Sequence, residues 1–206
     1  RRQEAFETTT KVLNVPEPET GVLKEAVRKA CDAGFREDAM LHRYVDRLEA
    51  ALAKAEYKIE AAKPLLEARG RRQTAVLRDL PGQIREGLLA GVSDEAVEAG
   101  NKALREVRAE KQLEDILSQL RDRVPMANAE AALTQAIEVA EREGLSPLVV
   151  APAVRSLEES RATSRMEGAL RAGDLRGVAY LVSEWKAKHF PPGPIERYMA
   201  ILEAHA

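Results

Sequence analysis

Apolar residues recur along this chain at spacings of three and four, the period of a helix with one apolar face. The clearest case is the stretch from Leu133 to Leu157, which reads as a helix, a corner at Gly144 and a second helix. Glycine suits such a corner because the C-terminus of a helix often needs a residue with positive φ. Ser146 and Pro147 follow in the order expected of an N-cap and a first helical residue. The stretch therefore predicts a helical hairpin.

Two upstream glycines, Gly34 and Gly91, lie in the same pattern. An apolar residue follows each glycine, and a second apolar residue lies where the two would close as a hydrophobic staple across the corner. The expected pairs are Phe35 with Met40, Val92 with Val97, and Leu145 with Val150. The three glycines lie roughly 50 to 60 residues apart, which favours a repeated unit of more than two helices. Because one hairpin cannot bury its apolar face alone, we expect neighbouring units to stack.

These patterns predict an all-α fold of stacked antiparallel helical hairpins, either an elongated solenoid or a bundle. Residues 1–20 are expected to be a lead-in or linker, because three consecutive threonines and the prolines at positions 16 and 18 disfavour a packed helix. Residues 21–206 are expected to form the helical-repeat domain. Its predicted units span about 21–81, 82–125, 126–174 and 175–206, and the second is expected to end at Arg123, Val124 and Pro125.

The longest uninterrupted helical pattern runs from about Glu37 to Arg69. Its apolar positions alternate spacings of four and three, the heptad seam of a helix that packs lengthwise on a partner. The seam consists of Leu41, Val45, Leu48, Leu52, Ala55, Ile59, Ala62 and Leu66. Pro64 lacks an amide donor, so we expect a kink there or a break that begins a new helix. Pro81 and Gly82 are expected to halt a short helical segment that follows.

The composition narrows the class of partner. Hydrophobic residues make up 45% of the chain and aromatic residues only 4%, as expected of helices packed through small side chains. There are 32 basic and 34 acidic residues, a formal net charge of −2, so no global field attracts the chain to phosphate or anionic lipid. No apolar run approaches the length of a membrane span, and no signal peptide is present. We therefore expect a cytoplasmic location.

The residues typical of enzyme sites are scattered. The three histidines, His42, His189 and His205, lie on different predicted elements, and only Asp38 with His42 has a spacing that could bring two metal ligands together. Cys31 lies on an apolar stripe with no basic residue expected near it, which favours a buried thiol over a nucleophile. Nucleotide-binding and nucleophile motifs are absent from the sequence. We predict no catalytic residue, no cofactor and no metal site.

Two features are candidates for interaction. Arg69, Arg71 and Arg72, with Arg78 near by, could meet phosphate or an acidic partner, although a solvated helix end with cations suited to the macrodipole explains the cluster as well. Trp185 follows an apolar stripe, which favours a core position over an interface anchor.

The phrases LTQAIEVAEREGL, its weaker copy LKEAVRKACDAGF and the link MEGALRAGDLRGV resemble the Ala/Glu/Leu-rich helical repeats of very large cytoskeletal and flagellar proteins of protists. The similarity covers most of residues 21–206. The resemblance implies a non-catalytic segment of a scaffold or filament-associated polypeptide, with a cytoskeletal or flagellar location. It implies no site residues.

Three functions follow from these observations, and the leading one is a structural or protein-interaction module within a larger assembly whose partner is another protein chain. The second is an electrostatic binder of nucleic acid or of acidic protein tails through Arg69–Arg78. The third is a helical-bundle ligand binder or enzyme, which would need a deep polar pocket with converging ionisable groups.

Overall fold

A computed structural model describes residues 1–121 and 128–205, and all regular secondary structure among them is helical. The α-helices are α1 (Arg2–Leu13), α2 (Thr20–Asp32), α3 (His42–Leu66), α4 (Gln73–Ala90), α5 (Asp94–Arg121), α6 (Ala129–Arg142), α7 (Pro147–Arg171), α8 (Leu175–Ala187) and α9 (Glu196–Ala204). Short 3₁₀ helices lie at Ala68–Gly70 and Gly193–Ile195. Helices that follow one another in sequence pack together, so the predicted all-α fold is confirmed.

The chain forms two compact units, Arg1–Leu104 and Arg105–Ala206, and the division between them falls within α5. In the first unit, α1, α2 and the first half of α3 share one apolar core. In the second unit, the end of α5 packs with α6 and the start of α7, while the end of α7 forms another core with α8 and α9. The predicted end of a repeat at Arg123, Val124 and Pro125 lies outside the described residues.

The expectation that residues 1–20 contain no packed helix is wrong. Helix α1 spans Arg2–Leu13 and buries Ala5, Thr9 and Val12 against α2. Threonine disfavours helix only weakly, and burial of an apolar face outweighs a preference of that size. Pro16 and Pro18 lie after the end of α1, in the loop that leads to α2.

Two prolines that were expected to interrupt the helical pattern lie inside helices. Helix α3 is shorter than predicted at both ends, but it continues through Pro64 to Leu66, so no new helix begins at Pro64. Helix α4 likewise continues through Pro81 and Gly82, which were expected to end it. Buried residues lie on both sides of Pro81 on one face, so tertiary packing offsets the cost of an internal proline, about 3 kcal/mol.

The predicted staple between Phe35 and Met40 is also wrong. Phe35 is buried in the core, but Met40 is 71% exposed and lies in the turns that precede α3. The carboxylate of Asp38 organises these turns by accepting the backbone N–H groups of Met40 at 2.9 Å and Leu41 at 3.2 Å. The hydrogen bond from Met40 is the main cause that lowers the pKa of Asp38. This corner is therefore closed by a carboxylate.

The three predicted corner glycines all have positive φ, and the structure contains two further corners of the same kind. At each one the corner residue donates its N–H to the carbonyl three residues earlier, and the next residue donates to the carbonyl five residues before itself. These two bonds measure 2.9–3.3 Å and form the Schellman motif. The corner residues are Gly34, Gly91, Gly144, Gly173 and His189. Five helices, namely α2, α4, α6, α7 and α8, thus end in one way.

The residues that follow four of these corners either pack into the core or cap the next helix. Phe35 and Phe190 are buried, and Leu145 packs against the cluster that contains Val150, its predicted staple partner. Asp174 instead accepts the N–H of Gly177 at 2.8 Å and caps α8. Ser146 caps α7 as predicted, since its hydroxyl accepts the N–H of Leu148 at 3.3 Å.

Two glycines inside helices serve close packing around Leu65. A Cβ atom on Gly87 of α4 would lie 2.9 Å from Leu65 Cδ1, and one on Gly100 of α5 would lie 3.1 Å from Leu65 Cδ2. Glycine in a helix interior costs about 1 kcal/mol relative to alanine. In the structure α5 continues through this position, because the missing side chain lets α5 approach α3 closely.

Replacing Gly144 with alanine should destabilise the protein by about 1 kcal/mol. Its φ is 78°, where a Cβ atom is strained, while no other atom lies within 4 Å of the added carbon. Gly168→Ala is the matched control, because Gly168 lies exposed within α7 and alanine there should stabilise the helix by about 0.5–1 kcal/mol. Urea unfolding of both variants measures the difference. Changes of the same sign would contradict the role assigned to the corner.

Replacing Thr9 with valine should stabilise the protein by about 1 kcal/mol. Thr9 is fully buried and its hydroxyl has no hydrogen-bond partner, so a methyl group of similar shape removes an uncompensated polar atom from the core. Thr8→Val is the control, since Thr8 is half-buried and its hydroxyl donates to the carbonyl of Glu4 at 2.8 Å. Thermal unfolding should show a higher Tm for Thr9→Val only.

Candidate functional site

The start of α7 carries more apolar residues than one helix face can bury. Residues Pro147 to Val154 are apolar without interruption, and successive helical residues point around the whole circumference. Val150 and Ala153 are buried in the core with α5 and α6. The remaining side chains face outward, and Leu148 is 85% exposed. We define the α7 apolar surface as Leu148, Val149, Ala151, Pro152 and Val154, all of which are exposed.

This surface is uncovered because the next helix is short. Helix α7 has 25 residues and α8 has 13, so α8 spans about half of its neighbour. The residues of α7 that share a core with α8 and α9 begin at Ala162. After α8 the chain reaches back as far as Arg155, which donates to the carbonyl of His189 at 2.8 Å. The first two turns of α7 extend beyond that point.

A groove runs along the edge of the α7 apolar surface. Its volume is about 400 Å³, and its apolar lining includes Leu145, Pro147 and Ala151. Glu141, Arg155 and Glu158 lie on its rim. Arg155 is paired with Glu159 at 3.3 Å and Glu158 with Lys188 at 3.6 Å, so two of these three charged residues already form ion pairs within the chain.

The first unit contains a second apolar concavity, between the α1–α2 loop and α3. Its volume is about 550 Å³. We call it the α3 groove and define it by its apolar residues Pro16, Pro18, Leu23, Ala51, Ala55 and Ile59. Glu17, Glu19, Lys54 and Lys58 also line it, so acidic and basic residues balance there, and Lys58 donates to Glu17 at 2.9 Å. That hydrogen bond is the main cause that lowers the pKa of Glu17.

The α3 groove lies where the predicted heptad seam loses its cover. The first half of the seam packs against α2, as predicted, with Val45 and Leu48 fully buried. Helix α2 has 13 residues and α3 has 25, so the second half of α3 extends past the N-terminus of α2. In that half Ile59 is 54% exposed, and Leu66 is also exposed. Ala61 and Leu65 are buried in that half instead, on a neighbouring stripe. The lengthwise packing predicted for the seam therefore holds within the chain for only half its length.

The arginine cluster is partly engaged in contacts within the chain. Arg71 donates to Gln83 at 2.9 Å, and Arg78 donates to both carboxylate oxygens of Asp79 at 2.7 and 3.1 Å. The hydrogen bond from Arg78 is the main cause that lowers the pKa of Asp79. Arg69 and Arg72 are exposed. The cluster combines cations with local anions, so its electrostatic attraction for phosphate is reduced.

Trp185 lies in the core, as its apolar stripe indicated. It is 1% exposed, and its indole Nε1 donates to the carbonyl of Pro191 at 2.8 Å. The ring of Phe190 packs edge to face against it, with 4.9 Å between centroids. Trp185 thus fixes the proline-rich corner after α8 and offers no surface to another chain.

The polar segment of α7 forms a network with α6 and α8. Ser160 and Ser164 donate to one carboxylate oxygen of Glu130, at 3.3 and 2.5 Å. A cavity of about 390 Å³ lies beside them, and its charged residues contact neighbouring helices. Lys188 pairs with Glu158 at 3.6 Å, and Arg161 donates to the hydroxyl of Thr134 at 3.4 Å. These contacts join α7 to α6 and to the end of α8.

Asp38 and His42, the two residues with a spacing that could suit a metal, contact groups within their own turn. Asp38 serves the turn before α3, and His42 Nδ1 lies 3.3 Å from the carbonyl oxygen of Asp38. Cys31 is half-buried, and contrary to expectation a basic residue, Arg36, lies beside it. The charge of Glu49 and then a hydrogen bond with Cys31 raise the pKa of Arg36. Within residues 1–121 and 128–205 no three His, Cys, Asp or Glu side chains converge as metal ligands. No helix in these ranges is both long enough and apolar enough to cross a membrane.

Sequence reasoning missed the α7 apolar surface. The signal was present, because PLVVAPAV places eight apolar residues in succession where one helix face accommodates about half of them. Helical periodicity selects Val150 and Ala153, which lie on one face of the helix and form the core. Excess apolar residues outside that period were the sign of a second, exposed face.

Replacing Leu148 with serine should leave the free energy of unfolding unchanged within about 0.5 kcal/mol, because the side chain is exposed. The matched substitution Val150→Ser, two residues away, should cost at least about 2 kcal/mol, because it removes a buried valine and buries a hydroxyl. Urea unfolding measures both. An equal loss at the two positions would show that Leu148 contributes to the core.

The chain matches no protein-family model. No curated protein and no solved structure is significantly similar to it. Its function is therefore argued from its own surface, and the resemblance to repeats of cytoskeletal and flagellar proteins stays a prediction.

Proposed function

We propose that this chain is a non-catalytic structural or protein-interaction module of a larger assembly of the cytoskeletal or flagellar type. The observation that carries the proposal is the α7 apolar surface, five exposed apolar residues within seven positions. Scattered exposed apolar residues are ordinary, whereas a contiguous apolar patch with a polar rim is typical of a surface that another protein covers.

The chemistry of the α7 apolar surface favours a protein over a small polar ligand. Its exposed groups are aliphatic side chains and one proline, so it offers shape and apolar area but few hydrogen bonds. Covering an aliphatic side chain stabilises a complex by about 1.5–3 kcal/mol, which must exceed the loss of translational and side-chain freedom. Leu148, a large side chain that is 85% exposed, is the expected centre of such a contact.

The two alternative functions receive less support from the contacts. Electrostatic binding through Arg69–Arg78 would compete with the pairs that Arg71 and Arg78 already form. A ligand-binding or catalytic role would need ionisable groups that converge in a deep pocket. In the polar cavity beside α7, Lys188 is paired with Glu158, and Glu130 accepts hydrogen bonds from Ser160 and Ser164.

Leu148→Glu should dissociate the chain from the protein complex that contains it in cells. A carboxylate cannot be buried in an apolar contact, so we expect at least about a tenfold loss of affinity. The folded chain should persist, because an acidic residue in the first turn of a helix is favourable. The measurement is the size of the native complex that contains tagged full-length protein.

Tyr180→Glu is the matched control, since Tyr180 is an exposed apolar residue of the same unit that lies outside the α7 apolar surface. Wild type and Tyr180→Glu should elute together in a large complex, and Leu148→Glu should elute as free protein. The proposal is contradicted if Leu148→Glu elutes with the wild type.

A further inference from the structure

We propose that α1 is a releasable helix, which undocks from α2 and α3 while the rest of the first unit stays folded. Its release also disassembles one wall of the α3 groove, because that wall follows α1 directly in the chain. The device lies wholly within Arg1–Leu104 and does not involve the α7 apolar surface on which the proposed function rests.

The contact that buries α1 contains little apolar volume and an uncompensated polar atom. Helix α1 buries Ala5, Thr9 and Val12. Thr9 is 0% exposed, yet its hydroxyl has no hydrogen-bond partner among the described residues. In the undocked helix the same hydroxyl bonds to water, so docking costs the free energy of removing it from water. That cost offsets part of what burial of an alanine and a valine contributes.

The rest of the unit has a core that does not depend on α1. The largest fully buried side chains of the unit lie outside α1, and they include Phe35, Leu23 and Leu48. Leu23 is in α2, Leu48 is in α3 and Phe35 lies in the corner between them, so contacts among the three do not need α1. Helix α3 also packs against α4, where Val76 and Leu80 are buried. Removing α1 therefore leaves α2, α3 and α4 joined.

The polar and aromatic contacts of α1 lie at its exposed side. Arg2 donates to the carbonyl of Ala33 at 3.1 Å and lies 3.8 Å from the carboxylate of Asp38, but its side chain is 64% exposed. Exposed ion pairs contribute little to stability. The ring of Phe6 packs edge to face against Tyr44, and Phe6 is 38% exposed. A free helix of 12 residues is marginal in water, so α1 unfolds when it undocks.

Release of α1 changes the α3 groove. Pro16, Glu17 and Pro18 line the groove and lie in the loop between the end of α1 and the start of α2. While α1 is docked, both ends of this loop are fixed. Once α1 is released, α2 fixes one end, and the hydrogen bond from Lys58 joins the loop to α3 through Glu17, which is 80% exposed. The groove is therefore a fixed concavity only while α1 is docked.

Hydrogen exchange of the full chain, followed amide by amide by NMR, measures the release. The amides of residues 6–13 should exchange at least about 100-fold faster than the slowest amides of α2, α3 and α4, because local opening needs less free energy than unfolding of the unit. Their rates should also change little in low concentrations of urea, since release exposes little surface, whereas the core amides should accelerate steeply.

Leu80→Ala separates release of α1 from unfolding of the unit. Leu80 is fully buried in α4 and lies outside the core to which α1 contributes. The substitution should accelerate exchange of the core amides of α2, α3 and α4 at least about tenfold and leave residues 6–13 unchanged. Thr9→Val should instead slow exchange of residues 6–13 about fivefold, because it removes the unpartnered hydroxyl, and Thr8→Val is its control.

Val12→Asp tests the link between α1 and the groove. A carboxylate cannot be buried without a partner, so α1 should undock in most molecules while α4 keeps its protection from exchange. The amide resonances of Lys58 and Ile59, which line the groove outside the core shared with α1, should then shift. Gln3→Asp is the matched control, since Gln3 is exposed on the same helix and its substitution should leave these resonances in place.

The inference is overturned if residues 6–13 exchange as slowly as the core amides, or if Leu80→Ala accelerates both alike, because α1 would then unfold only with the unit. The urea dependence of wild type makes the same distinction if Leu80→Ala does not fold. The inference is also overturned if Val12→Asp unfolds α2, α3 and α4 or leaves the resonances of Lys58 and Ile59 in place. Each of these results leaves the test of the proposed function by Leu148→Glu unaffected.

Discussion

Helix ends determine this structure, because five of its helices stop at a residue with positive φ whose neighbours tie the last turn with two backbone hydrogen bonds. The motif turns the chain sharply while it satisfies carbonyl groups that a helix C-terminus would otherwise leave unpaired. Four of the five corners use glycine, which adopts this conformation without a steric cost. His189 adopts it at the fifth corner, where Arg155 binds its carbonyl and the adjacent Trp185–Phe190 pair fixes the chain.

A sharp corner makes consecutive helices antiparallel neighbours, and the length of each helix then decides what is covered. In both units a 25-residue helix packs with a 13-residue helix, α3 with α2 and α7 with α8. At 1.5 Å per residue the longer helix exceeds the shorter by about 18 Å. The exposed apolar residues Ile59 and Leu148 both lie in these unmatched lengths. The candidate surfaces are thus a consequence of unequal helices joined by tight corners.

Much of the local structure could be predicted, because glycine corners, Ser146 as a cap and the stripe that ends at Trp185 depend on residues close in sequence. Errors arose where distant packing outweighs local preference. Helix α1 forms despite its threonines because its apolar face is buried, and α4 passes through Pro81 for the same reason. The sequence does not distinguish the turn closed by the Asp38 carboxylate from the start of a helix, so it predicts a staple at Met40 that does not form. The α7 apolar surface depends on how far α8 extends, which periodicity alone does not give.

Charged residues contribute little to the contact with another protein that the proposed function requires. Many exposed ion pairs join residues three or four apart on one helix, such as Arg28 with Glu25, Lys111 with Asp115 and Arg171 with Glu167. Such pairs contribute little, and with a net charge of −2 they leave a weak field beyond the surface. Under the proposed function, attraction of the α7 apolar surface for another protein then comes chiefly from apolar area removed from water.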